Sequence, residues 1–146
     1  YFPIKRKWQT GDTIALILDM RGRVICKNNH FMLQRGPIIL ARDARFADGN
    51  IHEVVECPNL DKPITLRPIE PHNPAIWMVF SIDLLMGVNL ETGPGSKPRP
   101  IHFCDFSSAG NTWREDSLYR VWQRIPLNVM AQPYVDYNVS TAIPGA

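Results

Sequence analysis

Proline residues occur along most of the sequence, and their distribution restricts what the chain can fold into. Of 146 residues, 13 are proline, which is more than globular proteins usually carry. Proline lacks a backbone N–H and breaks the interior of a helix, so a bundle of long helices is disfavoured. The segments between the prolines are short and rich in β-branched and aromatic residues, which is typical of strands. The sequence therefore predicts an all-β fold.

The spacing of apolar residues predicts where the strands lie. Residues 13–20 carry apolar side chains at every second position and some on the opposite face, which indicates a central strand. Residues 75–82 form the most apolar run, which predicts a buried strand with Trp77 in the core. Trp8 and Trp122 are expected to be half buried. Further extended segments of similar composition are expected at residues 2–9, 24–26, 51–57, 64–66, 101–106 and 119–123.

These segments together predict an antiparallel β-sandwich of the jelly-roll type, with about eight to ten short strands and little helix. One domain is expected, with residues 1–125 as the sandwich and residues 126–146 as a C-terminal extension or tail packed on it. The chain begins abruptly in what looks like a strand, so we interpret it as a piece of a longer protein.

An irregularity interrupts the apolar stretch from Phe31 to Ala41. Gly36 can adopt backbone angles that other residues avoid, and Pro37 cannot donate a hydrogen bond in a sheet. A strand that contains this pair is expected to bulge there or to lie at a sheet edge. The role of the neighbouring Arg35 is left open.

Composition and charge exclude several classes of function. The net charge is +2, and the one dense basic run, at residues 5–7, is expected to be solvated surface, so no nucleic-acid partner is predicted. No apolar run approaches the roughly 20 residues needed to span a bilayer. Residues 1–4 do not look like a signal peptide.

The cysteines do not form a recognisable metal or disulfide pattern. Cys26, Cys57 and Cys104 are widely separated and odd in number, unlike a disulfide framework or a CxxC metal site. We interpret them as small buried hydrophobic residues, although one pair could bridge if the protein is exported. No metal and no cofactor is predicted.

Two places bring a carboxylate near a histidine in the sequence. Glu70 and His72 flank a proline that holds them in extended backbone, and His102 lies three residues before Asp105. Residues 102 and 105 of a strand lie on opposite faces, so they are not expected to form a dyad. Ordinary surface or loop histidines are the favoured interpretation, and no catalytic residue is predicted.

A polar loop after residue 106 contains the best candidate for ligand contact. Trp113 lies there with Asn111 and Arg114, and Asp105 precedes the loop. Exposed aromatic rings beside such polar groups bind sugars by stacking and hydrogen bonding. The favoured alternative is that the indole closes the end of the sandwich or contacts another domain. The four residues are therefore candidates for sugar or interdomain contact.

Four segments, taken in order, also resemble a known family. They are Trp8-x-x-Gly11-Asp12 with the alternating strand after it, Leu33–Leu40, Cys104–Trp113 and Tyr119–Trp122. Together they resemble the β-sandwich that follows the catalytic barrel in β-L-arabinofuranosidase-type glycoside hydrolases, family 127 and its relatives. The resemblance covers residues 2–125, and it implies structural roles for Trp8, Gly11, Asp12, Arg35, Gly36 and Pro37.

The resemblance implies that catalysis belongs to another part of the polypeptide. In that family an upstream helical barrel carries a cysteine nucleophile with a glutamate and further cysteines at a zinc ion, whereas Glu56 and Cys57 are adjacent here and have no cysteine pair to complete such a group. The implied role is a non-catalytic C-terminal accessory domain of a bacterial glycoside hydrolase, periplasmic or secreted, with the upstream catalytic domain as its partner. The alternative is an autonomous module that binds plant-type glycans through Trp113.

Overall fold

The computed structural model describes residues 2–58, 60–86, 97–115 and 117–125. The predicted tail at residues 126–146 lies outside the described residues. Within them, no helix is long and apolar enough to cross a membrane. The strands of the described part are β1 (Gly22–Lys27), β2 (His30–Arg35), β3 (Ile38–Asp43), β4 (Arg67–Ile69), β5 (Val79–Leu84), β6 (Arg99–Asp105), β7 (Tyr119–Arg120) and β8 (Gln123–Arg124).

The eight described strands form one antiparallel sheet that curls into a half-barrel. Their order is β1-β2-β3-β6-β5-β4, while β7 pairs with β3 and β8 pairs with β2. An isolated bridge between Gly22 and Ile64 brings the start of β1 to the segment before β4. The prediction of an all-β fold is thus confirmed for the described residues, and its assignment to a sandwich stays a prediction.

Tight turns set the register of β1, β2 and β3. Asn28 and Asn29 have φ angles of 49° and 56°, as a two-residue hairpin turn requires, and Lys27 pairs with His30 across it. Gly36, with φ 55°, and Pro37 form the next turn, where Arg35 pairs with Ile38.

The expectation of a bulge or an edge strand at Gly36 and Pro37 was therefore wrong. The pair joins two strands that lie inside the sheet, at the turn, where no ladder hydrogen bond is needed from proline. The apolar stretch was interpreted as one interrupted strand, but it is two strands of a hairpin.

The main core lies on one face of the sheet. Strands β2, β3 and β6 bury Phe31, Leu33, Leu40, Ile101 and Phe103 completely, with an exposed fraction of 0% for each. A smaller apolar cluster of Ile76, Val79 and Cys104, with Phe46 and Ala109 packed against it, is separate from the first. Since neighbouring residues of a strand point to opposite faces, Val79 and Cys104 lie on the other face from Phe80 and Phe103. Two networks of hydrogen-bonded polar side chains lie beside this second cluster.

The largest departure from the sequence prediction is at the N-terminal side. Residues 2–9 and 13–20 are not strands, and in the described part of the chain no backbone hydrogen bond ties residues 13–20 to the sheet. Leu16 is 78% exposed and Ile17 94% exposed. Trp8 is 51% exposed, in agreement with the expectation that it is half buried. The alternation of apolar side chains indicates that a segment can form a strand. It does not show that a neighbouring strand is present to pair with it.

Trp77, predicted to be in the core, is 74% exposed. The strand begins two residues later, at Val79, because a turn precedes it. Asn73 accepts hydrogen bonds from the backbone N–H groups of Ala75 and Ile76, through its side chain and its carbonyl respectively. This turn leaves Ile76 buried and its neighbour Trp77 in solvent.

Three shorter predictions were only partly right. In residues 51–57 only Val55 pairs, by an isolated bridge to Met86, and its side chain is fully buried. In residues 64–66 only Ile64 pairs. The segment at 119–123 is divided between β7 and β8 by a bend at residues 121–122. Each segment is too short, or too sharply bent, for a continuous ladder.

Candidate functional site

A buried ion pair fixes the end of β3 to the loop that follows β6. The Asp43 carboxylate accepts hydrogen bonds at 2.7 Å from both Nε and Nη2 of Arg45, and another at 2.9 Å from the Gly110 N–H. Arg45 also donates to the Ser108 carbonyl at 2.8 Å and to Oδ1 of Asn111 at 2.9 Å. Burial alone would raise the pKa of Asp43, but the hydrogen bonds from Arg45 and Gly110 outweigh it and lower that pKa below its usual value.

Asp105 joins the same loop to the segment before β5. Its carboxylate accepts hydrogen bonds from the Ser108 N–H at 3.0 Å, the Ser108 hydroxyl at 2.7 Å and the Met78 N–H at 3.2 Å. The Ser108 hydroxyl in turn accepts from the Trp77 N–H at 3.0 Å. Asp105 is 2% exposed, so its contacts are structural ones.

The other three candidate contact residues lie along the loop in different environments. Asn111 uses both ends of its amide, since Oδ1 accepts from Arg45 and Nδ2 donates to the Ala75 carbonyl at 2.6 Å. Trp113 is 92% exposed and has a φ of 53°. Arg114 is exposed, and its N–H donates to the Ser117 hydroxyl at 3.1 Å. The structure thus places Asn111 in the network, and the side chains of Trp113 and Arg114 at the surface.

A second exposed indole lies on the neighbouring loop. Trp77 precedes β5, and two hydrogen bonds connect its loop to that of Trp113, namely Trp77 N–H to Ser108 and Asn111 to Ala75. Sequence reasoning missed Trp77 because it lies in the most apolar run of the chain. Asn73 and Pro74 just before it are turn residues, and they were the signal that could have found it.

A small cleft opens beside these loops. Its cavity volume is about 230 Å³, its apolar lining includes Ile76 and Val79, and its polar lining includes Glu70, His72 and His102. Typical ligand pockets measure about 300–1,000 Å³, so the cleft has room for a small ligand or a single side chain of a partner. The structure therefore brings Glu70 and His72 together at one concave surface.

His102 is oriented by a residue that the sequence analysis did not connect with it. Oδ2 of Asp48 accepts a hydrogen bond from the His102 backbone N–H at 2.6 Å and lies 3.2 Å from the ring Nδ1. The His102 and Phe46 ring centroids are 5.7 Å apart. Such a carboxylate–imidazole pair occurs in catalytic triads, but in the described part of the chain no hydroxyl or thiol is hydrogen-bonded to His102.

A buried arginine lies behind this pair. Arg42 is 1% exposed, and its Nη2 lies 3.5 Å from Oδ1 of Asp48 and 3.4 Å from the Asn50 carbonyl. Its Nε and Nη1 are buried and have no hydrogen-bond partner among the described residues. Burial lowers the pKa of Arg42, against the opposite effect of Asp48. Asp48 thus lies between a buried cation and the imidazole at the cleft.

Gly11 and Asp12, which the resemblance gives structural roles, lie in a turn where the Asp12 N–H donates to the Gln9 carbonyl at 3.1 Å. Asp12 accepts a hydrogen bond from the Gln9 N–H at 2.8 Å and pairs with Arg6 at 3.0 Å, while Gly11 has a φ of 93°. The Arg6 guanidinium lies 5.1 Å from the ring centroid of Trp8.

Arg35, whose role the sequence left open, lies over a core aromatic ring. Its guanidinium carbon is 5.0 Å from the ring centroid of Phe80, within the range of a cation–π contact. Gly36 beside it turns the chain into β3. Both residues therefore have architectural roles in the hairpin.

No three His, Cys, Asp or Glu side chains in the described ranges are grouped so as to hold a metal ion. Neither the models of known protein families nor the curated proteins give a match to this chain. The likeness to β-L-arabinofuranosidase-type enzymes stays a prediction from the sequence.

Proposed function

We propose that this chain is a non-catalytic accessory domain of a bacterial, exported glycoside hydrolase, and that it supports the catalytic domain of the same polypeptide. The family assignment comes from the sequence resemblance. The structural observation that favours a supporting role is the exposed apolar segment at residues 13–18.

Within the described part of the chain, that segment has the properties of a strand without a partner. Ile14, Leu16, Ile17 and Leu18 are 59%, 78%, 94% and 48% exposed. Contiguous exposed apolar surface marks interaction sites, and an extended segment with free backbone groups is a template for another strand. Contact with a catalytic domain would cover these side chains and satisfy the backbone groups.

A strand at residues 13–20 would also extend the architecture. The described strands form one curled sheet, and a sandwich needs a second layer packed on the first. Pairing of this segment with a strand of the neighbouring catalytic domain would begin that layer. The jelly-roll assignment is therefore part of the proposal.

The polar groups near the cleft agree with a scaffold. Asp43, Arg45, Asp105 and Asn111 are engaged in hydrogen bonds that join loops to strands. Side chains locked in this way hold loops in fixed positions, which suits a domain that orients the loops near the substrate entrance of its neighbour.

An activity assay tests this role. The purified chain is expected to fold, as judged by a cooperative thermal transition, and to hydrolyse no aryl β-L-arabinofuranoside or other aryl glycoside above background. Turnover that survives purification and is lost on Glu70→Gln would overturn the proposal. Glu115→Gln, which changes an acid in an exposed loop, is the matched control.

Sugar binding is the second candidate function, and the two exposed indoles favour it. Trp77 and Trp113 are 74% and 92% exposed on loops that are hydrogen-bonded to each other. Calorimetric titration with arabinan oligosaccharides tests it. Binding that is lost in Trp113→Ala and kept in Trp8→Ala would support a glycan-binding surface, and absence of binding to any glycan would leave the scaffold role alone.

A further inference from the structure

Two cysteine thiols lie against each other in the main core. Cys26 is in β1 and Cys57 follows the bridged residue Val55, and their Sγ atoms are 3.9 Å apart. Both thiols are free in the structure. The two residues are separated by 31 positions in the sequence, so their contact is a product of the fold.

The pair lies where the two ends of the curled sheet meet. The bridge between Gly22 and Ile64 is antiparallel, so residues further along β1 lie opposite residues that precede Ile64. Cys26 comes after Gly22 and Cys57 comes before Ile64, as this direction requires. The thiol contact and the bridge therefore connect the same two segments, at two points along one seam.

We propose that Cys26 and Cys57 form a disulfide when the chain matures in an oxidising compartment. The oxidant is itself a disulfide, either glutathione disulfide or the active-site disulfide of an oxidoreductase. One protein thiolate attacks the oxidant and releases a first thiol, and the other thiolate then attacks the mixed disulfide and releases the second. The protein dithiol loses two protons and two electrons, and the oxidant disulfide is reduced to two thiols.

Differences in burial indicate the order of these steps. Cys57 is partly exposed whereas Cys26 is buried, so Cys57 is the thiol that an oxidant reaches first. Burial raises the pKa of both thiols, which lowers the amount of reactive thiolate at neutral pH. Oxidation of the folded chain is therefore slow, and bridging is fastest during folding.

Cys104 provides a natural control within the same chain. It is fully buried in the second apolar cluster. Burial raises its pKa to about 12. In the described part of the chain no other thiol contacts it, so it is expected to stay reduced under conditions that join the other two.

The bridge would restrict the unfolded chain and hold the seam closed. A cross-link that closes a loop of this length limits the unfolded ensemble, and we expect a rise in Tm of about 10 °C. The thiol contact itself is independent of the function proposed above, whereas the oxidising compartment rests on the proposed export.

The test is to refold the intact chain in a glutathione redox mixture at about pH 8, where exchange is rapid, and then to map its peptides without reduction. We expect one cross-linked pair joining Cys26 to Cys57, a free Cys104, and a Tm about 10 °C higher than that of the reduced chain. The Cys104→Ala variant should keep both the cross-link and the shift in Tm, and Cys57→Ala should lose both. Any of three results would overturn the proposal: three free thiols, a cross-link to Cys104, or a glutathione adduct on Cys57 without a cross-link. Each of these results is measured on the chain without substitutions.

Discussion

Asp43 and Arg45 form a two-point ion pair that is closed off from solvent at the end of β3. The side chains are 0% and 6% exposed, and the closest nitrogen–oxygen distance is 2.7 Å. Since Arg45 also reaches Ser108 and Asn111, the pair holds the loop after β6 in place. The shape of the cleft and the position of the Trp113 loop depend on this contact.

Removing the carboxylate of this pair should strongly destabilise the fold. Asp43→Ala removes the carboxylate that pairs with the buried Arg45 guanidinium at two points and the acceptor of the Gly110 N–H, so we expect the free energy of unfolding to fall by about 3–5 kcal/mol. Urea unfolding measures the change. The matched control is Asp83→Ala, which breaks the exposed pair with Arg67 at 2.7 Å and should change stability little. Equal losses in both variants would contradict a special role for Asp43.

The same carboxylate should make stability depend on pH in acid. The pKa of Asp43 is lowered in the folded chain, so its ionised form stabilises the fold above the ordinary aspartate pKa of about 3.9. This stabilisation is lost as the pH falls through that value towards the folded pKa. Tm measured between about pH 2 and 6 should therefore fall less steeply for Asp43→Asn than for the original chain. Identical slopes of Tm against pH in the two proteins would show that Asp43 does not contribute to the loss of stability in acid.

Gly36 should be difficult to replace. Its φ is +55°, and an added Cβ would lie 2.5 Å from the Met20 sulfur and 3.0 Å from the Asp19 carbonyl oxygen. We expect Gly36→Ala to cost at least about 1–2 kcal/mol in thermal or urea unfolding, from the backbone conformation alone. Gly11→Ala is the control and should cost less, because Gly11 also has a positive φ but no described residue lies within 4 Å of the added atom. If Gly36→Ala unfolds at the same urea concentration as the original chain, the turn geometry is wrong.

Arg42 should be replaceable by an apolar residue of similar size. Its Nε and Nη1 are buried without a partner in the part of the chain that the structure describes, and buried groups without a partner lower stability. We expect Arg42→Met to lower the free energy of unfolding less than Arg42→Ala, because only the alanine variant leaves a cavity. A methionine variant as unstable as the alanine variant would mean that the charge of Arg42 is needed.

The sequence predicts local features of this fold well. The short apolar run at residues 24–26 was sufficient to find β1, and the strand at 101–106 was placed within two residues of β6. These features depend on neighbours in the sequence. In contrast, the contact of Asp48 with His102 spans 54 positions, and no local pattern identifies such a partner.

The errors have a related cause. Residues 13–20 have a strand pattern but pair with no strand among the described residues, and Trp77 is in an apolar run but exposed. Hydropathy reports which side chains favour burial, whereas burial itself depends on whether another segment covers them. For residues 13–18, the proposed covering segment belongs to the catalytic domain.

Hydrogen–deuterium exchange at residues 13–18 tests the central claim most directly. In the isolated chain these amides have no backbone partner among the described residues, so they should exchange at rates close to those of an unfolded peptide. In the complete polypeptide, where a catalytic domain would cover them, exchange should be slower by about tenfold or more. Equally fast exchange in both would contradict the docking of this segment on a catalytic domain.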